Sequence, residues 1–248
     1  MRCSATRLDR FIRAHSSFPQ SAVRALIAQQ RIQVDAQCAH SVQQVVTPFS
    51  RITLDGECLQ DGRERLYMML HKPQGVVSAT QDAQHRTALD LIDHPHKDQL
   101  HIVGRLDINS TGLLLFSNDG AWSRRISLPA SRCLKCYEVT LAQPLNASAV
   151  AAFAQGMYFA YENITTQPAE LIIHTPYTAT VSLTEGKYHQ VKRMFAALGN
   201  RVMRLHRRSV GGLSLGDLAV GQSRLLTASE CLCLAPFDDE NLTLPAEV

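Results

Sequence analysis

The sequence predicts an α+β protein on three grounds. Short apolar or alternating runs at residues 66–70, 113–116, 136–141, 165–174 and 178–183 read as strands, and the run at 113–116 closes in Asn118-Asp119-Gly120, a strong turn signal. Stretches at 144–157 and from Glu185 onward read as helices. The second carries Val191, Met194, Phe195 and Leu198 at helical spacing, with Gly199-Asn200 as its stop. The 248 residues are 45% hydrophobic, enough for a sizeable core, and contain no run of about 18 apolar residues that would cross a membrane.

Composition narrows the function classes. The first 16 residues hold arginines and Asp9 but no apolar stretch, so no secretory signal is expected. The seven cysteines, odd in number and irregularly spaced, do not read as a disulfide framework, and a reducing cytoplasm is the expected location. Cys133 and Cys136 with Cys231 and Cys233 offer four thiols, but the second pair is too closely spaced for a zinc knuckle and both pairs alternate as strand residues do; they read as small core residues. The net charge of +3 is modest, whereas its distribution is uneven. Residues 1–60 hold seven Arg and no Lys against four acids, and residues 186–216 hold Lys187, Lys192, Arg193, Arg201, Arg204, Arg207 and Arg208 with no acid. Two basic islands on a neutral body suit a polyanion held at two places, although a solvated face has the same composition.

In chain order, a first helix places Leu8, Phe11 and Ile12 on one face and leaves Arg7, Arg10 and Arg13 for the other. A second helix follows, with Ser21 as its N-cap and Val23, Leu26 and Ile27 on its apolar side. Alternation at 31–35 and the Ile52-Thr53-Leu54 run before Asp55-Gly56 predict two short strands. Arg24 and Arg31, with the arginines of the first helix, form either a phosphate-binding face or a solvated surface. Residues 57–65 are polar and aperiodic. The expected division is a domain at 1–58, a linker at 59–65 and a domain at 66–240. Within the second domain, His71-Lys72-Pro73-Gln74-Gly75 is a turn after the first strand.

The centre of that domain is the loop 104–112, between the apolar flanks Ile102-Val103 and 113–115. It carries one carboxylate, Asp107, with Arg105 before it and Asn109, Ser110 and Thr111 after it, held on a rigid sheet as catalytic groups usually are. Asp107, Asn109, Thr111 and Gly112 fit the first half of a calcium loop, but the twelfth position is Asn118 and the ninth is Leu115, so no metal is expected. Taken alone, Asp107 and Arg105 also suit a structural turn with a solvated ion pair.

The whole stretch resembles the signature of the RsuA type of pseudouridine synthases: Gly-Arg-Leu-Asp, a Thr-Gly-Leu-Leu-Leu run and an Asn-Asp-Gly turn. Lys72-Pro73-Gln74-Gly75 is similar to that family's Asn-Lys-Pro-x-Gly, with His71 in place of Asn; Lys135-Cys136-Tyr137-Glu138-Val139 to its Lys-x-Tyr-x-Val; and residues 185–195 to its Glu-Gly-x-x-His-Gln-Val-Lys/Arg-Arg-Met-Phe. Residues 204–212 resemble its closing element. Arg7-Leu8-Asp9 and the strand at 32–36 resemble the S4 RNA-binding domain, with Gln30 and Ala36 where that family has Gly.

The resemblance implies a mixed, largely antiparallel sheet preceded by a small α/β S4-like domain. It implies Asp107 as the essential carboxylate, acting as nucleophile or as base, and Tyr137 under the target base. Lys192 would be the cation paired with Asp107, with Arg193 the alternative. Leu205 would be an apolar wall, and Arg105, Thr111, Lys72, Arg204 and Arg207 would contact substrate. Arg7, Arg10, Arg24 and Arg31 would contact RNA in the first domain. The target base would be flipped out of its stack to reach the acid. No cofactor is implied. The implied partner of a monomeric chain is ribosomal RNA, 16S at the uridine-516 type of site or within an assembling small subunit, with 23S RNA the runner-up and a non-catalytic assembly protein the competing class.

Overall fold

The computed structural model describes residues 5–128 and 131–234, so the predicted domain ends at residues 1 and 240 lie outside them. The chain divides into two units, residues 1–65 and 66–248. In the first, β1 (Thr6–Arg7) leads directly into α1 (Leu8–His15), and α2 (Val23–Ala28), β2 (Ile32–Val34), β3 (Gln37–Cys38), β4 (Val45–Val46), β5 (Ile52–Leu54) and β6 (Glu57–Gln60) follow. The predicted apolar face of α1, Leu8, Phe11 and Ile12, closes onto Val23, Leu26, Ile32, Val34, Ile52 and Leu54. Strands run in the order β3-β2-β5-β6.

Two expectations fail in this unit. Ser21 caps nothing, because Gln20–Ala22 is a 3-10 turn that runs straight into α2, whose N-cap is Ala22. Residues 57–60 are a strand rather than linker: β6 pairs with β5 across the Asp55-Gly56 turn, and that backbone pairing outweighs the missing periodicity. Gln30 and Ala36 both hold positive φ, 56° and 64°. The backbone therefore keeps the left-handed turns for which the S4 pattern supplies glycine.

The second unit is built on a sheet of nine described strands: β7 (Tyr67–Lys72), β8 (His101–Val103), β9 (Thr111–Ser117), β10 (Lys135–Leu141), β13 (Glu170–Thr175), β14 (Thr178–Leu183), β15 (Val202–Val210), β16 (Leu213–Ser214) and β17 (Ser223–Leu225); β11 (Tyr158–Phe159) and β12 (Ile164–Thr165) form a separate ribbon. Its helices are α3 (Gly120–Ser127), α4 (Ser148–Gln155), α5 (Gln190–Ala197) and α6 (Ala228–Leu234). The order is β13-β14-β10-β15-β9-β7-β17, with β16 on β15 and β8 on β9. Among the described strands every pair in this sheet is antiparallel except β15 with β9, so the mixed, largely antiparallel sheet is as expected.

Strands β7 and β9 read as unbroken apolar runs because both their faces are covered. Met68, Leu70, Leu114 and Phe116 join Tyr137, Val139, Phe153 and Phe195 on one side, under α4 and α5. Tyr67, Met69, Leu113 and Leu115 join Trp122, Ile126 and Leu234 on the other, under α3 and α6. Asn118-Asp119-Gly120 is thus more than a turn: the Asp119 carboxylate accepts from the Ala121 and Trp122 amides and caps α3. The run at 165–174 is split between β12 and β13, and the helix expected over 144–157 is confined to α4, ending at Gly156, whose φ of 80° stops it. The helix expected from Glu185 begins only at Gln190, because Glu185 is spent on side-chain bonds and His189 is left-handed.

Candidate active site

The parallel contact in the sheet locates the site. β15 and β9 pair over only two positions, His206 with Thr111 and Arg207 with Gly112, and immediately before Thr111 the chain forms the loop 104–110. A cleft of about 850 Å³ opens there, a volume usual for ligand sites. It is lined by Arg105, Asp107, Tyr137, Tyr188, His189, Lys192, Leu205 and Arg207 among others.

The loop is held from several sides. Gly75, at φ 82°, donates its amide to the Ile108 carbonyl at 2.9 Å, and Ser78 Oγ donates to the Leu106 carbonyl at 2.7 Å. Lys72 is fully buried, and its Nζ donates to the carbonyls of Ser110, Pro73 and Ile108 at 2.8, 3.0 and 3.4 Å. Arg207, 3% exposed, donates through Nε to the Leu113 carbonyl at 2.8 Å and through Nη1 to the Arg105 carbonyl at 3.4 Å. Unlike the exposed contacts expected, both cations are buried and brace the loop through carbonyls of the fold; Arg207 does so with Nε and Nη1, while its Nη2 has no hydrogen-bond partner among the described residues and the side chain also lines the cleft.

Asp107 has two partners, one a lysine ammonium and one an imidazole. Lys192 Nζ stands 2.6 Å from Oδ2, and His189 Nε2 stands 3.1 Å from Oδ1. The carboxylate keeps 24% side-chain exposure, toward the cleft. Held between these two side chains with its open side toward the cleft, the carboxylate is placed to attack carbon as a nucleophile or to take a proton as a base. Tyr137 in β10 and Leu205 in β15 are buried beside the same cleft, an aromatic face and an apolar wall for a planar ring.

Other expected residues are placed elsewhere. Arg193 turns away: its Nη1 donates to Glu162 Oε1 at 2.7 Å and its guanidinium sits 3.8 Å over the Phe159 ring, so the pairing with Asp107 belongs to Lys192. Thr111 Oγ1 is bonded to His206 Nδ1 at 2.8 Å, outside the cleft lining. Arg204 is exposed on the opposite face of β15 from Leu205, while Arg105 is exposed in the cleft rim. In the first unit Arg31 is tied to Asp55 at 2.6 Å and Arg7 to Asp9 at 2.7 Å; Arg10 and Arg24 are exposed. His189 is the residue that sequence reasoning passed over. A histidine three positions before Lys192, at the entry to the same helix, is the signal that pairs them.

Burial pushes the Lys72 ammonium down to about 8, against the opposing pull of Asp107. The folded chain therefore releases this proton before the unfolded chain does. Between about pH 8 and pH 10.5 the unfolded state binds more protons, and Lys72 makes stability rise with pH. Activity is expected to move the other way, because a neutral Lys72 holds the loop and its charge less firmly. Rate against pH should fall with a midpoint near 8, and Lys72→Met should abolish that limb.

Among the described residues no group of three or more His, Cys, Asp or Glu could hold a metal, and no helix is long and apolar enough to cross a membrane. The RNA pseudouridylate synthase family profile matches residues 66–197. The chain is 46% identical to the ribosomal small subunit pseudouridine synthase A of Pseudomonas aeruginosa, covering 90% of this chain and 98% of that one. It is 41% identical to the protein of the same name in Escherichia coli, covering 90% and 97%. A crystal structure of a pseudouridylate synthase superposes with a TM-score of 0.68 at 39% identity, covering 92% of this chain and 99% of that one. The braced loop, its lone carboxylate and these likenesses agree: the chain belongs to the RNA pseudouridylate synthase family, as an RsuA-type isomerase that converts uridine in RNA to pseudouridine.

Proposed function

We propose that the substrate is 16S ribosomal RNA, at a single uridine of the 516 type, and that Asp107 carries out the glycosidic step. The observation that supports this most is the doubly paired Asp107 in a cleft that also holds Tyr137 and Leu205. The reaction breaks N1–C1′, forms C5–C1′ and moves a proton from C5 to N1, so it needs neither oxidant nor reductant. A carboxylate acting at the ribose is enough, provided that a cation keeps it ionised and the base lies flipped against an aromatic ring. The small-subunit names of the relatives favour 16S RNA over the 23S alternative. In this reading the chain works as a cytoplasmic monomer, with Arg105 and Arg204 meeting phosphates.

The test is to incubate purified chain with 16S and 23S transcripts and with assembling small-subunit particles, then map pseudouridine. One new site in 16S RNA is expected. A site in 23S RNA alone would move the assignment to the large subunit, and no site in any substrate would favour the assembly-protein reading.

The first unit is proposed to act as an S4-like grip on RNA through its exposed Arg10 and Arg24. Charge reversal at both should weaken RNA affinity and reduce the slope of log K against log salt by about 0.7 to 0.9 for each phosphate no longer neutralised. An unaltered slope in a filter-binding titration would remove this unit as a phosphate grip.

A further inference from the structure

The loop before α5 presents an aromatic ring to solvent at the mouth of the cleft. Tyr188 is 75% exposed, yet its ring is not loose: it stacks on His189 with centroids 3.9 Å apart and planes 18° from parallel. The backbone beneath it is fixed. Buried Glu185 accepts from the Gln167 amide at 2.8 Å and from Gln190 Nε2 at 2.6 Å, and Gln190 Oε1 accepts the Lys187 amide at 2.9 Å. Arg193 Nη1 donates to the Tyr188 carbonyl at 3.3 Å. His189 itself sits at φ 49°, ψ 30°, a left-handed conformation that is strained for a non-glycine residue. Strain of this kind persists where surrounding bonds impose it, and here it carries the His189 ring to Asp107 on one side and the Tyr188 ring to solvent on the other.

A ring that is exposed and pre-stacked, on a rigid loop beside a base-flipping cleft, has the properties of a nucleobase platform. Stacking on an aromatic side chain stabilises a single-stranded base whatever its sequence, and a ring already held in place gives up little entropy on binding. Arg105 lines the same cleft and is exposed there, a positive charge for the adjoining backbone, while Lys187, which also lines it, is paired with Glu185 at 3.4 Å. Resting on the assignment of RNA isomerisation to this cleft, we propose that Tyr188 stacks on an unpaired base adjoining the flipped uridine. His189 is then a positioning residue that ties this platform to Asp107, so that seating the neighbouring base sets the acid.

The experiment uses short synthetic RNAs spanning the modified uridine, intact or with one abasic nucleotide at each flanking position in turn, with affinity and single-turnover rate measured for the full chain. Tyr188→Ala should weaken affinity for intact RNA about 5- to 100-fold. At one flanking position the abasic change should weaken the wild-type chain by a similar factor and leave Tyr188→Ala unaffected, while Tyr188→Phe should behave as the wild type. His189→Gln should lower the single-turnover rate at unchanged affinity and lose the dependence of that rate on the same flanking base. Unchanged affinity in Tyr188→Ala, or abasic penalties that persist undiminished at every position, would overturn the proposal. Turnover that survives in Asp107→Asn would instead overturn the assignment of the glycosidic step to this cleft's carboxylate, on which the proposal rests, so the two failures are distinct.

Discussion

Asp107→Asn is expected to lower single-turnover release of tritium from RNA labelled at C5 of uridine by on the order of 10⁴-fold, with RNA affinity within a few-fold of the wild type. The substitution is isosteric, so the loop held by Lys72, Gly75, Ser78 and Arg207 keeps its shape. The electrostatics change. Each carboxylate oxygen now faces a cationic or donating group, His189 at Oδ1 and Lys192 at Oδ2, and a neutral amide has one acceptor for the two of them. Its NH₂ is left against a donor, and no anion remains to act at the ribose. Preserved affinity separates this outcome from misfolding; a residual rate within about tenfold of the wild type would mean that another group performs the chemistry.

Gly112→Ala should be the most destabilising small substitution near the site. Gly112 has φ 114°, and a Cβ there would fall inside contact distance of the Arg207 backbone. This is the position where β9 and β15 make their two-residue parallel contact, so relief requires those strands to separate. A loss of about 3 kcal/mol or more is expected, lowering the melting temperature by roughly 6 to 12 °C for a unit of this size. The surviving folded fraction should also turn over slowly, because Asp107 lies upstream on the loop this contact anchors. Gly120→Ala is the control: it has no positive φ, and among the described residues its added methyl would meet the flexible end of Arg124 at 3.7 Å. Equal melting points for the two variants would contradict the close strand approach.

Much of this is legible in the residues. The unbroken apolar runs of β7 and β9 announce strands covered on both faces, and the short motifs single out Asp107, Tyr137, Lys192 and Leu205, all of which line one cleft. The cations are harder. A sequence displays a lysine without displaying the carbonyls that make its burial tolerable, and those of Ile108 and Ser110 lie 36 and 38 residues from Lys72. The place of Arg207 is easier to infer. It stands two residues from Leu205 on the same strand, so both share the buried face that borders the cleft. Ser21 and residues 57–60 mislead for the opposite reason: a capping preference and a lack of periodicity are local signals, and a tight turn or a paired strand supplies more bonds than they do.

In the proposed reaction one carboxylate, held between Lys192 and His189, remakes the glycosidic bond. Its most direct test is a pseudouridine map of ribosomal RNA from cells whose own copy of the chain is replaced by wild type or by Asp107→Asn. The expected result is one modification present with the wild type and absent with the variant, all other sites unchanged and the variant still bound to RNA. An identical map in both strains would contradict it.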